Sequence, residues 1–375
     1  MRSAVLRAQG AARPYAESWP LAIEALEVAA PRAGEVGVRI ERASLCHSDL
    51  SVVNGSRPRP LPMALGHEAA GIVEAVGDGV DGIEVGDHVV LVFVPSCGDC
   101  RECRSGRPAL CSRAAEVNGS GRLLHGASVL TDAAGGRVHH HLGVSAFAEY
   151  AVVASESVVV IDRDVPFDIA AMFGCAALTG MGAVFNTADV RPGQSVIVFG
   201  LGAVGLAAVM AAAQVDEVTV IAVDPNTDKH ELALQAGANA VATRDGAADL
   251  VADLTGGVGV DFAIEAVGSA RVMGACLELL ARGGALVSVG LPHPEQELAV
   301  PALQFAGAGK RLLGSYMGDA VPARDIARYV ALWRAGRLPM ELLHTDTVPL
   351  AEINESLDAL AEGRVIRRLF VPNAA

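Results

Sequence analysis

The chain has 375 residues, enough for two domains, and 51% of them are hydrophobic, enough for more than one core. Its 43 acidic and 29 basic side chains leave a net charge of −14, which excludes the cationic surface that non-specific nucleic-acid binding requires and fits an acidic protein that repels its neighbours. The N-terminal MRSAVLRAQG lacks the apolar core of a signal peptide, and the longest apolar stretch, Leu206 to Ala213, is too short for a bilayer, so a cytoplasmic protein with no membrane partner is expected.

Residues 1 to about 160 carry short alternating runs such as Glu35–Ile40 and Gly71–Val76, broken by Asp78-Gly79, Asp81-Gly82 and Gly86-Asp87, which predicts a β-rich domain. The polar, glycine-rich stretch 112–143 reads as a long loop. From Ser195 the rhythm changes. Strands are predicted at Val196–Phe199, Val218–Val223, Val260–Ile264 and Ala285–Val289, with helices at Ala203–Gln214, Asn226–Ala236 and Ala270–Ala281 between them. Such alternation means a parallel sheet covered on both faces, an α/β doubly wound fold. A helical segment over 322–337 precedes a strand at Arg367–Val371, which is expected to pair back with the first domain. The chain holds no internal repeat and no low-complexity tract.

Gly200-Leu-Gly-Ala-Val-Gly205 follows the first of those strands and opens a helix. Gly200 suits the tight turn, Gly202 the close approach of a pyrophosphate, and Gly205 the packing of helix on strand. The helix N-terminus offers free N–H groups and a positive dipole end to phosphates. In a chain with 41 glycines the motif alone is an ordinary turn as often as a site. Asp224 at the end of the next strand stands where an acid binds the ribose 2′-hydroxyl, and its charge favours NAD over NADP. Read by itself, Asp224 is a strand-end turn before Pro225.

Four of the seven cysteines, Cys97, Cys100, Cys103 and Cys111, form a Cys-x2-Cys-x2-Cys-x7-Cys cluster. In a reducing compartment that clustering points to metal. Four thiolates suit a closed, structural zinc site. An iron–sulfur cluster is the rival, but the chain lacks the x3 step and Cys-Pro that continue a ferredoxin run. Cys46, His67 and Cys175 supply two thiolates and an imidazole, a set that makes a catalytic zinc site with one position open. Each taken singly is more often a buried thiol or a satisfied histidine, and spacing alone does not make them converge.

With Cys46-His-Ser-Asp, Gly66-His-Glu, the four-cysteine lobe, Ala146-Phe-Ala-Glu-Tyr, Gly174-Cys175, Phe199-Gly-Leu-Gly-Ala-Val-Gly-Leu and Val365-Ile-Arg-Arg in order, the chain resembles the zinc-dependent medium-chain alcohol dehydrogenases over nearly its whole length. The resemblance implies a GroES-like β-rich catalytic domain over 1–177 with a zinc lobe at 95–112, a Rossmann coenzyme domain over 178–319, and a return of 320–375 to the catalytic domain. It implies two zinc ions per subunit, NAD, a small alcohol or carbonyl substrate, and a homodimer of the long-loop branch, with a homotetramer as the other assembly.

Residue by residue, the resemblance implies that Cys46, His67 and Cys175 bind catalytic zinc, which stabilises an alkoxide for hydride transfer. Glu68 approaches the metal, Asp49 orients His67, and Ser48 takes the alcohol proton. His47 and Arg367 match contacts to the cofactor pyrophosphate, Thr179 one near the nicotinamide, and Lys229 one near the adenosine ribose. Many relatives continue the proton path through a histidine where this chain has Ser51, so the proton is expected to leave through solvent or His47. Phe93, His141 and Leu291 match the substrate channel. His141 departs from the usual apolar or aromatic residue, and Arg57 stands where the glutathione-dependent formaldehyde branch has an acid; together they suggest a polar or anionic alcohol. The alternatives are a biosynthetic reductase of an imine or activated alkene, and a non-catalytic relative that binds NAD and zinc. Ser48 and the intact ligand set favour alcohol–carbonyl exchange.

Overall fold

A computed structural model describes residues 1–373. The chain divides into two compact units. One contains residues 1–175, Val321–Ala327 and the segment from His344 onward; the other contains Ala176–Ala320 and Arg328–Leu343.

The first unit is built on two sheets. In the seven-stranded sheet the spatial order is Val158–Ile161, His88–Leu91, Ala69–Val76, Glu35–Ser44, Arg368–Val371 and Asp346–Pro349, with Tyr150–Ala154 also paired to Glu35–Ser44. The long central strand buries Val36, Val38 and Ile40, one face of a two-residue repeat, in the main apolar cluster with Val73, Val89, Leu91, Phe147 and Phe370. Arg368–Val371 lies antiparallel on that strand, with Leu369 opposite Ser44 and Phe370 opposite Ala43. The six-stranded sheet runs Leu21–Ala25, Arg2–Leu6, Met63–Ala64, Arg137–His140, Leu130–Thr131 and Glu27–Val28.

Two readings of the sequence change here. The stretch 112–143 is not a plain loop: it holds the helix Ser112–Gly119 and the strands Leu130–Thr131 and Arg137–His140. Cys111 caps the helix by accepting from the Ala114 N–H, and Asp132 closes the hairpin by accepting from the Ala134 and Gly136 N–H groups. Local side-chain acceptors organise a segment whose composition looks featureless. The longest apolar helix is Phe167–Ala188, 22 residues with 83% of its apolar window buried, and not the stretch from Leu206. Gly174, Gly180 and Gly182 disguise it as broken turns in the sequence. A helix so buried is a core element, and it includes π-helical turns at Phe173–Ala177 and Ala183–Ala188.

The second unit holds a six-stranded sheet in the order Ala240–Ala242, Thr219–Val223, Ser195–Phe199, Val260–Glu265, Leu280–Ser288, Arg311–Gly314, with every pairing parallel. This is the doubly wound order that places the first strand beside the switch point. The helix Ala203–Ala212 is buried at every position but Val204, so it is apolar all round and shows no amphipathic stripe. The helix predicted to end at Ala281 stops at Leu279, because Leu280 already begins a strand. The one predicted at Asn226 opens as a 3-10 turn, Thr227–Lys229, before α-helix His230–Gln235.

Candidate functional site

Strand register brings the first ligand set together. Ala43 pairs with Ala69, and Ala69 with Leu91, so the ends of three neighbouring strands align. Cys46 lies just past the end of the first strand, and His67 just before the start of the second. Cys175 sits in the π-helical turn Phe173–Ala177, the kind of local irregularity that re-aims a side chain. Gly174 makes the approach possible, because a Cβ there would overlap the Leu91 carbonyl oxygen. The donor atoms of Cys46, His67 and Cys175 lie within 4.8 Å of one another, and all three residues are buried.

Cys46 also caps the helix His47–Val53: its sulfur accepts from the Asp49 N–H, while Asp49 Oδ2 accepts from the Cys46 N–H at 3.1 Å. Asp49 Oδ1 lies 3.1 Å from His67 Nδ1, which leaves the other ring nitrogen of His67 for a metal. Burial alone would raise the Asp49 carboxyl, but His67 and His141 outweigh it and hold it at about 2. Burial likewise opposes charge on His67, while Asp49 and Cys46 favour it strongly enough to take the ring well above its ordinary range. A hydrogen bond with Cys175, then Arg367 and His67, hold the Cys46 thiol well below its usual value. A sulfur anion paired with a protonated imidazole is the charge pattern that a cation would replace.

Arg367, matched by sequence to the pyrophosphate, is 3% exposed. Its Nη2 donates toward Cys46 Sγ at 3.5 Å, its Nη1 donates to the Leu45 carbonyl at 3.2 Å, and its Nε lies 3.3 Å from Glu68 Oε2. Glu68 is fully buried, so this ion pair is the local counter-charge that makes its burial tolerable. Phe93 packs edge-on against the His67 ring at 5.6 Å, and Asn118 donates to the Phe93 carbonyl at 2.7 Å. Nothing in the sequence marks Asn118, which carries no motif and lies in a segment of loop-like composition that folds as the helix Ser112–Gly119. His141, matched to the substrate channel, is 1% exposed, with its Nδ1 3.1 Å from Asp49 Oδ1.

Ser48 is half-buried, with its hydroxyl 3.8 Å from Cys46 Sγ, and His47 is exposed. Ser51 donates its hydroxyl to the His47 carbonyl at 2.9 Å. Arg57 is half-buried, its N–H donating to the Ser51 carbonyl at 2.9 Å.

The donor atoms of Cys97, Cys100, Cys103 and Cys111 also lie within 4.8 Å of one another. Backbone N–H groups point at the sulfurs: Cys97 N–H and Ala114 N–H to Cys111 at 3.4 Å, and Cys100 N–H to Cys97 at 3.3 Å. The Cys103 backbone N–H lowers the Cys100 thiol to about 6, while burial and its neighbours push Cys103 up to about 12. Four sulfurs so close cannot all ionise unaided; one tetrahedral divalent ion removes the conflict and leaves no open position.

In the second unit the motif glycines stand at the C-terminal end of strand Ser195–Phe199. A Cβ on Gly205 would overlap the Gly200 carbonyl oxygen, whereas one on Gly202 would meet nothing within 4 Å. Helix is therefore pressed onto strand at one glycine, and open space is kept at the other, as a phosphate cradle requires. Asp224 is buried, accepting from the Leu201 and Asn226 N–H groups at 2.7 and 2.9 Å, with Lys229 Nζ 3.9 Å from Oδ2. Glu265, not singled out from the sequence, ends the adjacent strand and accepts from the N–H groups of Val267, Gly268 and Ser269. Burial pushes its carboxyl up. Thr179 is half-buried and Leu291 is exposed.

Residues 32–163 match the family described as alcohol dehydrogenase GroES-like domain, and residues 203–334 the family described as zinc-binding dehydrogenase. The chain is 36% identical over 357 residues to an S-(hydroxymethyl)glutathione dehydrogenase of Synechocystis sp., covering 94% of this chain and 96% of that protein. It is 36% identical over 359 residues to an alcohol dehydrogenase class-3 of Drosophila melanogaster, covering 94% of each. Its fold matches the crystal structure of benzyl alcohol dehydrogenase from Acinetobacter calcoaceticus with a TM-score of 0.91 at 32% identity, covering 99% of this chain and 98% of that one. An alcohol dehydrogenase zinc-binding domain protein from Burkholderia ambifaria matches with a TM-score of 0.92 at 36% identity, with the same coverage.

Proposed function

This chain belongs to the zinc-dependent medium-chain alcohol dehydrogenases and interconverts an alcohol with an aldehyde or ketone; from that premise we propose that Cys46, His67 and Cys175 hold the catalytic zinc and that NAD occupies the glycine-rich turn of the second unit. The convergence of two thiols and an imidazole within 4.8 Å carries this reading. When bound, zinc supplies the Lewis acidity that acidifies an alcohol oxygen or polarises a carbonyl, and NAD supplies the hydride acceptor.

The chain's own residues do the rest. Asp49 keeps His67 in the tautomer whose metal-facing nitrogen is free, and Arg367 balances the buried charges of Glu68 and Cys46. Ser48 takes the substrate proton. Ser51 is engaged on the His47 carbonyl, so the proton leaves through solvent or His47. Asp224 and Lys229 hold the adenosine ribose, where a second phosphate would meet the Asp224 charge. Thr179 adds a contact near the nicotinamide and His47 one to the pyrophosphate, while Arg367 is spent on Cys46 and Glu68 and is withdrawn from the pyrophosphate its sequence match implies. Phe93 gives the substrate an apolar wall, which suits a compact apolar or aromatic alcohol. His141 rests on Asp49 rather than facing an anionic substrate group.

The four-cysteine zinc is structural. The four clustered thiols, which need a reducing compartment to hold a metal, support a cytoplasmic home. A homodimer joined through the second unit is supported by its exposed edge strand, Arg311–Gly314.

The test is metal content and turnover together. Wild type should hold two zinc ions per chain and form NADH with a panel of alcohols, and should be slower with NADP. Cys46→Ser should lose one ion and all turnover while keeping the other. A wild type with one ion, or a panel in which only imines or unsaturated carbonyls react, would sink the reading.

A further inference from the structure

Asp49 serves more partners than one metal-ligand histidine needs. Its Oδ2 accepts from the Cys46 N–H, while its Oδ1 has two imidazole nitrogens at 3.1 Å, His67 Nδ1 and His141 Nδ1. The second contact has hydrogen-bond length but lies off the hydrogen-bond axis. His141 and Asp49 are almost wholly buried, and the His141 and His67 rings meet edge-on at 5.3 Å and 86°. With Phe93 edge-on at 5.6 Å and 88°, the His67 ring has two aromatic walls.

The backbone holds His141 there deliberately. Its N–H donates to Ser145 Oγ at 2.9 Å and to the Ala64 carbonyl at 3.2 Å. Ser145 in turn donates its hydroxyl to Ala64 at 2.8 Å. The turn that follows puts two residues other than glycine in the left-handed region, Leu142 at φ 50° and Ser145 at φ 55°. Such a conformation is costly and persists where the surroundings require it.

We propose that His141 is a second imidazole on Asp49 and a positioning residue for the catalytic zinc, acting on His67 through the shared carboxylate and through the edge-on ring contact. The proposal rests on Cys46, His67 and Cys175 being the zinc ligands. A carboxylate oxygen has two lone pairs and accepts two N–H groups. Both histidines then donate from Nδ1, and His67 is left with the lone pair a metal needs. Without His141 the carboxylate is buried one donor short, and the His67 ring loses one wall. Both changes loosen the ligand's orientation, and supporting partners of this kind alter metal affinity about tenfold or more.

The experiment follows zinc leaving the cofactor-free protein into the chelator 4-(2-pyridylazo)resorcinol, with the four-cysteine ion as internal reference, and the visible bands of protein carrying cobalt at the catalytic site. His141→Leu should release the catalytic ion roughly tenfold faster, the order expected for a lost supporting partner, and should shift the cobalt bands. His141→Asn, whose amide nitrogen falls near the position of Nδ1, should keep the donor but not the ring and so fall between wild type and His141→Leu. His141→Gln, whose amide reaches past that position, should resemble His141→Leu and replaces it should the leucine variant not fold. In an Asp49→Asn background, His141→Leu should add clearly less than it does in wild type. Wild-type release and spectra for both Leu and Gln overturn the proposal, as do an Asn variant as fast as Leu or full additivity with Asp49→Asn. A wild type that holds only the four-cysteine ion overturns the ligand assignment itself, which separates the two failures.

Discussion

Gly66 has no side chain, yet the placement of His67 depends on it. Its φ is 93°, and a Cβ there would overlap the Phe147 backbone nitrogen. Gly66→Ala is therefore expected to cost about 1–3 kcal/mol, the range for overpacking a filled interior, and to lose the catalytic zinc selectively. Thermal denaturation and zinc content per chain check this; an unchanged midpoint with two ions retained would show that the turn has room. Gly66-His67 and Gly174-Cys175 were legible in the sequence because a ligand and the glycine that admits it are neighbours. The embrace of Asp49 by His141 was not. It depends on a turn made of residues that disfavour it, inside a stretch read as loop, and His141 was expected along the substrate channel. The Arg367–Glu68 pair was hidden for another reason. Buried arginine is rare enough that sequence assigns it to a surface or a phosphate first.

At the scale of elements, periodicity told most where strands alternate with helices. Four of the six parallel strands of the second unit are legible as short apolar runs fenced by turn residues, whereas the outer strands Ala240–Ala242 and Arg311–Gly314 are too short or too polar to stand out. The elements within 112–143 were obscured because two-residue strands and an eight-residue helix are too short for a period to emerge. Register, which actually gathers Cys46 and His67, is not written in any one segment: it belongs to the pairing of Ala43 with Ala69. The strand Arg311–Gly314 ends its sheet with unpaired backbone groups and Leu312 41% exposed, and nearby in sequence Leu303 is 77% exposed. Open edges of this kind invite pairing with another chain. If two copies join there, Leu312→Lys should shift the molar mass measured by light scattering from dimer toward monomer. A wild type that is already monomeric at micromolar concentration would remove the homodimer from the proposed function.

At the scale of the molecule, the chain leaves its first unit at Cys175, rejoins it briefly at Val321–Ala327 and again from His344 onward. The family resemblance made such a return expected, but its chemical weight was not foreseen. Arg367 reaches Cys46 and Glu68, and Leu369 pairs with Ser44. On the proposed ligand assignment, the two metal centres would therefore form at different times. On the ribosome, the Cys97–Cys111 lobe has all four ligands once that short segment has emerged, whereas the pocket around Cys46 waits for Arg367 and the strand that follows it. Chain-distant contacts of this sort form late, and until they do the apolar strand edge they cover is open to aggregation. A chain stopped after Gly363 is expected to carry only the lobe's zinc, and finding two ions in it would show that the closing strand is dispensable. With the ligands assigned as proposed, a nascent chain that has made the lobe but not Arg367 would be metallated before it could do its chemistry.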